Sequence, residues 1–154
     1  MSNTNYTEPI DIEYVENSTP LQSSKINTDH YNDTAFSNNS SYIINKIQKQ
    51  IECLDMELYS FGFTFEDISQ TSPHKKKDKY ACADMIRTII DDRAMMRTML
   101  QKGYLPIRLL SKKTNRSPKL IASFEGYVVM ASLILTGNYP DLKPYFDYVL
   151  YDEL

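Results

Sequence analysis

The sequence has no tryptophan, only four glycines, two histidines and two cysteines in its 154 residues. Each shortage excludes something. His30 lies in a polar stretch and His74 beside a run of lysines, and neither has a cysteine or acid pair at metal-ligand spacing, which argues against zinc. So few glycines leave little scope for tight backbone cradles. No Gly-rich phosphate loop, nucleophile elbow or His-Glu-X-X-His motif is present. The acids pair along helices at charge-pair spacing and do not converge on an apolar pocket. Neither an enzyme nor a cofactor, metal or small-molecule ligand is predicted. Cys53 and Cys82 fit a reducing compartment, and both read as small apolar core residues. No window approaches the roughly 18 apolar residues of a membrane span. The first residues, MSNTNYTEPIDIEY, lack both a basic segment and an apolar run, so no secretory signal is expected. A cytoplasmic protein follows from these absences.

What is present is helical. Strand-like alternation is scarce and helix formers dominate the second half, which predicts an all-α fold. The expected architecture is one compact bundle of about six helices over residues 41–152, preceded by a disordered tail or linker over residues 1–40. That tail is rich in Asn, Ser, Thr and Asp and too poor in aliphatic side chains to offset its ordering entropy; Ile10, Ile12, Tyr14 and Val15 could dock locally.

Ser40 or Ser41 is expected to cap a helix ending at Gly62, with Ile44, Ile47, Ile51, Leu54, Leu58 and Phe61 forming its apolar stripe. Thr64 with Asp67 resembles a capping box opening a short turn to Ser69. Ser72-Pro73 is expected to open the next helix, which carries Lys75, Lys76, Lys77 and Lys79 before an apolar face. Four lysines there oppose the helix macrodipole. They form either a solvated face, partly offset by Asp78 and Asp84, or a second phosphate- or acid-contacting patch. Asp91-Asp92 re-caps a helix of core-filling methionines (Met95, Met96, Met99) stopped by Gly103.

Residues 105–136 stand apart. Pro106 suits the start of a short helix with Ile107, Leu109 and Leu110 on its apolar side. Thr114-Asn115-Arg116 breaks it, with Asn115 placed at positive φ. Ser117 and Pro118 restart a helix as N-cap and first position, burying Leu120, Ile121, Phe124 and Val128 and running to Gly137. A last helix begins at Pro140, with Leu142, Tyr145, Phe146, Val149 and Leu150 inward. Helix, three-residue turn and Ser-capped helix make a helix-turn-helix. Net charge is -3, yet residues 105–136 hold five bases (Arg108, Lys112, Lys113, Arg116, Lys119) against the single acid Glu125. Positive charge therefore sits where phosphate contact needs it. From these features DNA binding and a purely structural bihelical turn stand about level.

Three ordered stretches carry a family resemblance: FGFTFEDISQTSPHKKKDK, LPIRLLSKKTNRS and VVMASLILTGNYPDLKPYF. Together they resemble the C-terminal part of sigma-I-type RNA polymerase sigma factors, and the tail around PLQSSKINTDHYND resembles the linker before that domain. The amino-terminal sigma domain of that family has no match in this sequence. The resemblance implies an all-helical domain that reads the upstream (-35) promoter element, with the helix from Ser117 as reader. The residues so implicated are Arg108, Lys112, Lys113, Arg116, Ser117, Lys119 and Ser123. It further implies promoter DNA, RNA polymerase core or a separately encoded sigma domain, and a membrane-anchored anti-sigma factor as partners. The family usually follows the Ser with Arg-Lys-Thr and further cations before a Lys-Tyr pair. Here Pro118, Lys119, Leu120, Ser123, Glu125 and Gly126 precede Tyr127, and only Lys119 and Tyr127 match well. That departure supports an alternative: a protein-interaction module that keeps the sigma-like fold without DNA readout.

Overall fold

The computed structural model describes residues 39–151. The expected tail, with Ile10, Ile12, Tyr14, Val15 and His30, lies outside them. The chain divides into two compact units, Met1–Asn45 and Lys46–Leu154. Of the first, residues 39–45 are described and are already helical, so Ser40 and Ser41 are not N-caps but lie within the helix.

The second unit carries both the core and the basic bihelical motif. Its described residues are all-helical: α1 (46–60), α2 (Phe65–Thr71), α3 (Lys76–Asp91), α4 (Arg93–Lys102), α5 (Ile107–Thr114), α6 (Pro118–Ser123), α7 (Glu125–Thr136), a 3₁₀ turn (Lys143–Phe146) and α8 (Asp147–Tyr151). The all-α expectation holds. The helices number more than six because the helix from Ser117 breaks at Phe124 and the last one is divided into a 3₁₀ turn and α8.

Local chemistry explains most boundaries. Gly62, at φ 81°, turns the chain out of α1 while Phe63 N–H bonds back to Leu58 O at 3.1 Å. The capping box is reciprocal: Thr64 Oγ1 accepts from Asp67 N at 3.2 Å, and Asp67 Oδ2 accepts from Thr64 N at 3.0 Å. Asp92 Oδ1 accepts from Ala94 and Met95 N–H, each at 3.0 Å, and opens α4. Gly103, at φ 68°, closes it.

Ser72-Pro73 does not open α3. The Ser72 hydroxyl donates to Ile68 O at 2.7 Å, finishing α2, and Pro73 is buried; the helix starts only at Lys76, whose N-cap Lys75 supplies no side-chain bond. Nor does a helix begin at Pro140. The 3₁₀ turn and α8 place Leu142, Phe146 and Val149 inward at spacings of four and three, which leaves Tyr145 and Leu150 exposed.

The core forms around α3 and α7, which pack most extensively on each other. Cys82, Met85, Ile86 and Ile89 of α3 meet Val128, Val129, Ala131 and Leu133 of α7, with Met95 and Met99 from α4 filling in as expected. Leu54 and Leu58 of α1 are fully buried, with Ile47 and Phe61 partly so; Ile51 is exposed. Polar contacts add to this hold on α1: Gln50 and Lys46 both bond the Asp141 carboxylate, and Tyr139 donates to Glu57 at 2.8 Å. Cys53 faces solvent, not the core. Cys82 is buried, and burial first, then the Asp78 charge, pushes its thiol up to about 12, so it serves as an inert filler.

Candidate nucleic-acid interface

The bihelical motif is assembled by short-range bonds and anchored by three buried side chains. Leu105, Leu110 and Ile121 are all buried. Pro106 is the N-cap of α5, one position earlier than expected, and Leu110 N–H bonds its carbonyl at 3.0 Å. Asn115 takes φ 54° and ψ 31°, the left-handed turn assigned to it. The Ser111 hydroxyl then donates to Arg116 O at 2.6 Å, tying α5 to the end of the turn. Ser117 Oγ accepts from Leu120 N at 3.2 Å, and Pro118 follows at the first position, where no N–H is needed.

α6 is six residues long. Phe124, at φ -116° and ψ 14°, ends it, and α7 departs in a new direction. This break relocates two positions of the reader helix. Gly126 is buried against α2: an added Cβ would come within 3.0 Å of Ile68 Cγ1 and 3.1 Å of Phe63 Cδ1. Glu125 is half-buried and its carboxylate accepts from the Leu105 N–H; burial raises its pKa, and that bond only partly offsets the rise. Neither residue occupies an exposed reading face, so glycine at 126 serves close helix packing. Tyr127 likewise turns inward, its hydroxyl 2.6 Å from that of Tyr148.

Of the residues expected at DNA, Arg108, Lys112, Lys113, Ser117, Lys119 and Ser123 are exposed and Arg116 is half-buried. Their chemistry differs. Lys113 Nζ lies 2.7 Å from Asp92 Oδ2, and this ammonium, then the Met95 N–H, holds the Asp92 carboxyl below its ordinary 3.8. Arg116 Nε lies 3.0 Å from Asp84 Oδ2 on α3. Arg108, Lys112 and Lys119 form no ion pair among the described residues. Ser123 returns its hydroxyl to Leu120 O at 2.6 Å, and Ser117 uses one lone pair as a cap but keeps its O–H. Beside the motif, Tyr104, Pro106, Ile107 and Leu109 line an open cleft of about 400 Å³.

The partners Asp84 and Asp92 were not anticipated as members of this site. They lie 32 and 21 residues from Arg116 and Lys113, and nothing within residues 105–136 signals either of them. Lys75, Lys76, Lys77 and Lys79 fall together on the first turns of α3, outside the bihelical motif.

No protein-family model matches the sequence. The RNA polymerase sigma factor SigI3 of Acetivibrio thermocellus is 28% identical over 100 residues, covering 65% of this chain and 40% of that protein. SigI4 of the same organism is 27% identical over 109 residues (70% and 40%), and SigI of Bacillus subtilis 23% over 104 (68% and 41%). The chain is similar to sigma-I-type sigma factors. It spans about 40% of the length of these relatives. Among the described residues no helix is long and apolar enough to cross a membrane.

Proposed function

We propose that this chain is a sigma-factor-like domain that reads the upstream (-35) promoter element in transcription initiation, with the exposed start of α6 in the major groove. One observation carries the reading: a Ser117-capped helix follows a left-handed Asn115 turn and presents Lys119, flanked by the unpaired Arg108 and Lys112. The likeness to sigma-I-type factors supports it independently. Arg116 and Lys113 reach phosphate only by exchanging their carboxylate partners, and Ser117 offers its O–H. Action in a cell then requires RNA polymerase core and the promoter-melting part of a sigma factor, and an anti-sigma factor is the expected regulator. Fluorescence anisotropy with promoter and scrambled duplexes tests this. Binding at low salt that Lys119→Glu weakens is expected; no binding, or binding indifferent to Lys119→Glu, refutes it.

A second reading, a protein-interaction module of the same fold, draws on the Tyr104–Leu109 cleft and on the internal pairing of Lys113 and Arg116. A pull-down that recovers no polymerase subunit, sigma domain or anti-sigma factor counts against it.

A further inference from the structure

The four lysines at the start of α3 are the largest charged feature that the helix-turn-helix leaves unexplained. Lys75, Lys76 and Lys77 are exposed and Lys79 is half-buried. None forms an ion pair among the described residues, and Asp78 is the one acid between Lys75 and Ala83. Lys76 instead lies 5.8 Å from the centroid of the Tyr80 ring. Positive charge at a helix N-terminus opposes the macrodipole, and the N-cap Lys75 supplies no side-chain bond to relieve it. The arrangement costs stability in the isolated chain and is relieved by an anion.

Helix geometry relates one of these lysines to the helix-turn-helix. Lys77 and Asp84 are seven residues apart on one uninterrupted helix, hence on one face, separated by about 10 Å. Asp84 is the residue that holds Arg116 at the end of the helix-turn-helix turn. Lys77 therefore prolongs the motif's positive edge along α3, and Lys75, Lys76 and Lys79 cluster with it around the first turn of that helix. The major groove is about 12 Å wide, so a cation some 10 Å beyond the motif's turn falls at the phosphates bordering the groove that α6 would enter.

We infer that Lys75, Lys76, Lys77 and Lys79 form a second contact surface for the phosphate backbone of duplex DNA, which positions the domain without reading sequence. The inference rests on the promoter-reading function proposed above. Its test compares the unaltered 154-residue chain with a variant carrying Lys75→Gln, Lys76→Gln, Lys77→Gln and Lys79→Gln. Affinity for promoter and scrambled duplexes is followed from low to moderate salt, and circular dichroism checks that both proteins are folded. Each phosphate contact contributes about 0.9 to the slope of log K against log salt. The expected result is a slope shallower by about 2 to 3, with the same fold-loss on both duplexes. An unchanged slope for a chain that does bind DNA overturns the lysine surface and leaves the helix-turn-helix reading standing. A loss confined to the promoter duplex also overturns it. No duplex binding by the unaltered chain at low salt overturns both. Poly-glutamate serves as the competing ligand: tighter binding to it than to duplex, abolished in the variant, assigns the lysines to an acidic protein surface and overturns the DNA assignment.

Discussion

Asp84→Asn separates a structural from a functional role for Arg116. The Asp84–Arg116 bond is 3.0 Å long, and the two side chains are 46% and 31% exposed. A pair so open to water contributes about 0.2–1 kcal/mol. Breaking it should lower the midpoint of urea unfolding slightly without changing the slope, as for a loss of stability with no change in compactness. The effect on DNA has the opposite sign. In the unaltered chain, Arg116 must leave Asp84 to reach a phosphate, so the pair energy is subtracted from binding. Releasing it should tighten binding by roughly 1.4- to fivefold, the same 0.2–1 kcal/mol read as an equilibrium constant. It should also steepen the salt dependence by about 0.9, for one more phosphate neutralised. The assay is anisotropy at several salt concentrations, beside urea denaturation followed by circular dichroism. An affinity that is unchanged or lower in Asp84→Asn, with the expected stability loss, refutes the placement of Arg116 at the DNA. Arg116 would then be a clasp between α3 and the turn, and nothing more.

Other perturbations test the local architecture. Ser117→Ala removes the acceptor for the Leu120 N–H and should cost about 1 kcal/mol in chemical denaturation. Gly103→Ala forces a side chain into φ 68° with its Cβ 3.1 Å from Ser60 O, for a loss of about 1–3 kcal/mol, read as a fall in melting temperature. Acid should destabilise the domain. The Thr64 hydroxyl and N–H hold Asp67 low, the Lys113 ammonium holds Asp92 low, and the Gln50 amide holds Asp141 low, each below the ordinary 3.8. Their stabilising contributions are complete above that pH and are lost as pH falls through the depressed values. Glu125 acts in the opposite direction: its pKa is raised from 4.5 by burial, so stability is lost as pH rises through the raised value. Unfolding midpoints measured across the acid range should show that second loss disappear in Glu125→Gln, and its persistence would contradict the placement of this carboxyl.

The part of this structure legible in the sequence is the part made by neighbours in the chain. The Thr64–Asp67 box, the Asp92 cap, the Gly103 stop, the Asn115 turn and the Ser117-Pro118 start each close a bond or a torsion within about four residues, so residue type alone decides them. The helix-turn-helix was readable for that reason, and so was the burial of Leu110 and Ile121 on its inner side. Where two local signals compete, the sequence is a poorer guide. Ser72 has the composition of an N-cap, but its hydroxyl goes to Ile68 O and the Pro73 that follows is buried outside any helix.

Only tertiary structure decided what the motif's charges do. Lys113 and Arg116 meet carboxylates 21 and 32 residues away, and no periodicity within residues 105–136 announces those partners. The same holds for the break at Phe124. As one helix, residues 118–136 would carry Gly126, seven residues on from Lys119, onto the face that Lys119 occupies. The observed kink lets Gly126 admit Phe63 and Ile68 at contact distance and gives the Glu125 carboxylate to the Leu105 N–H. Burial of those groups against α2 and the start of α5 sets the direction of α7, and packing of that kind depends on which helices come to lie side by side.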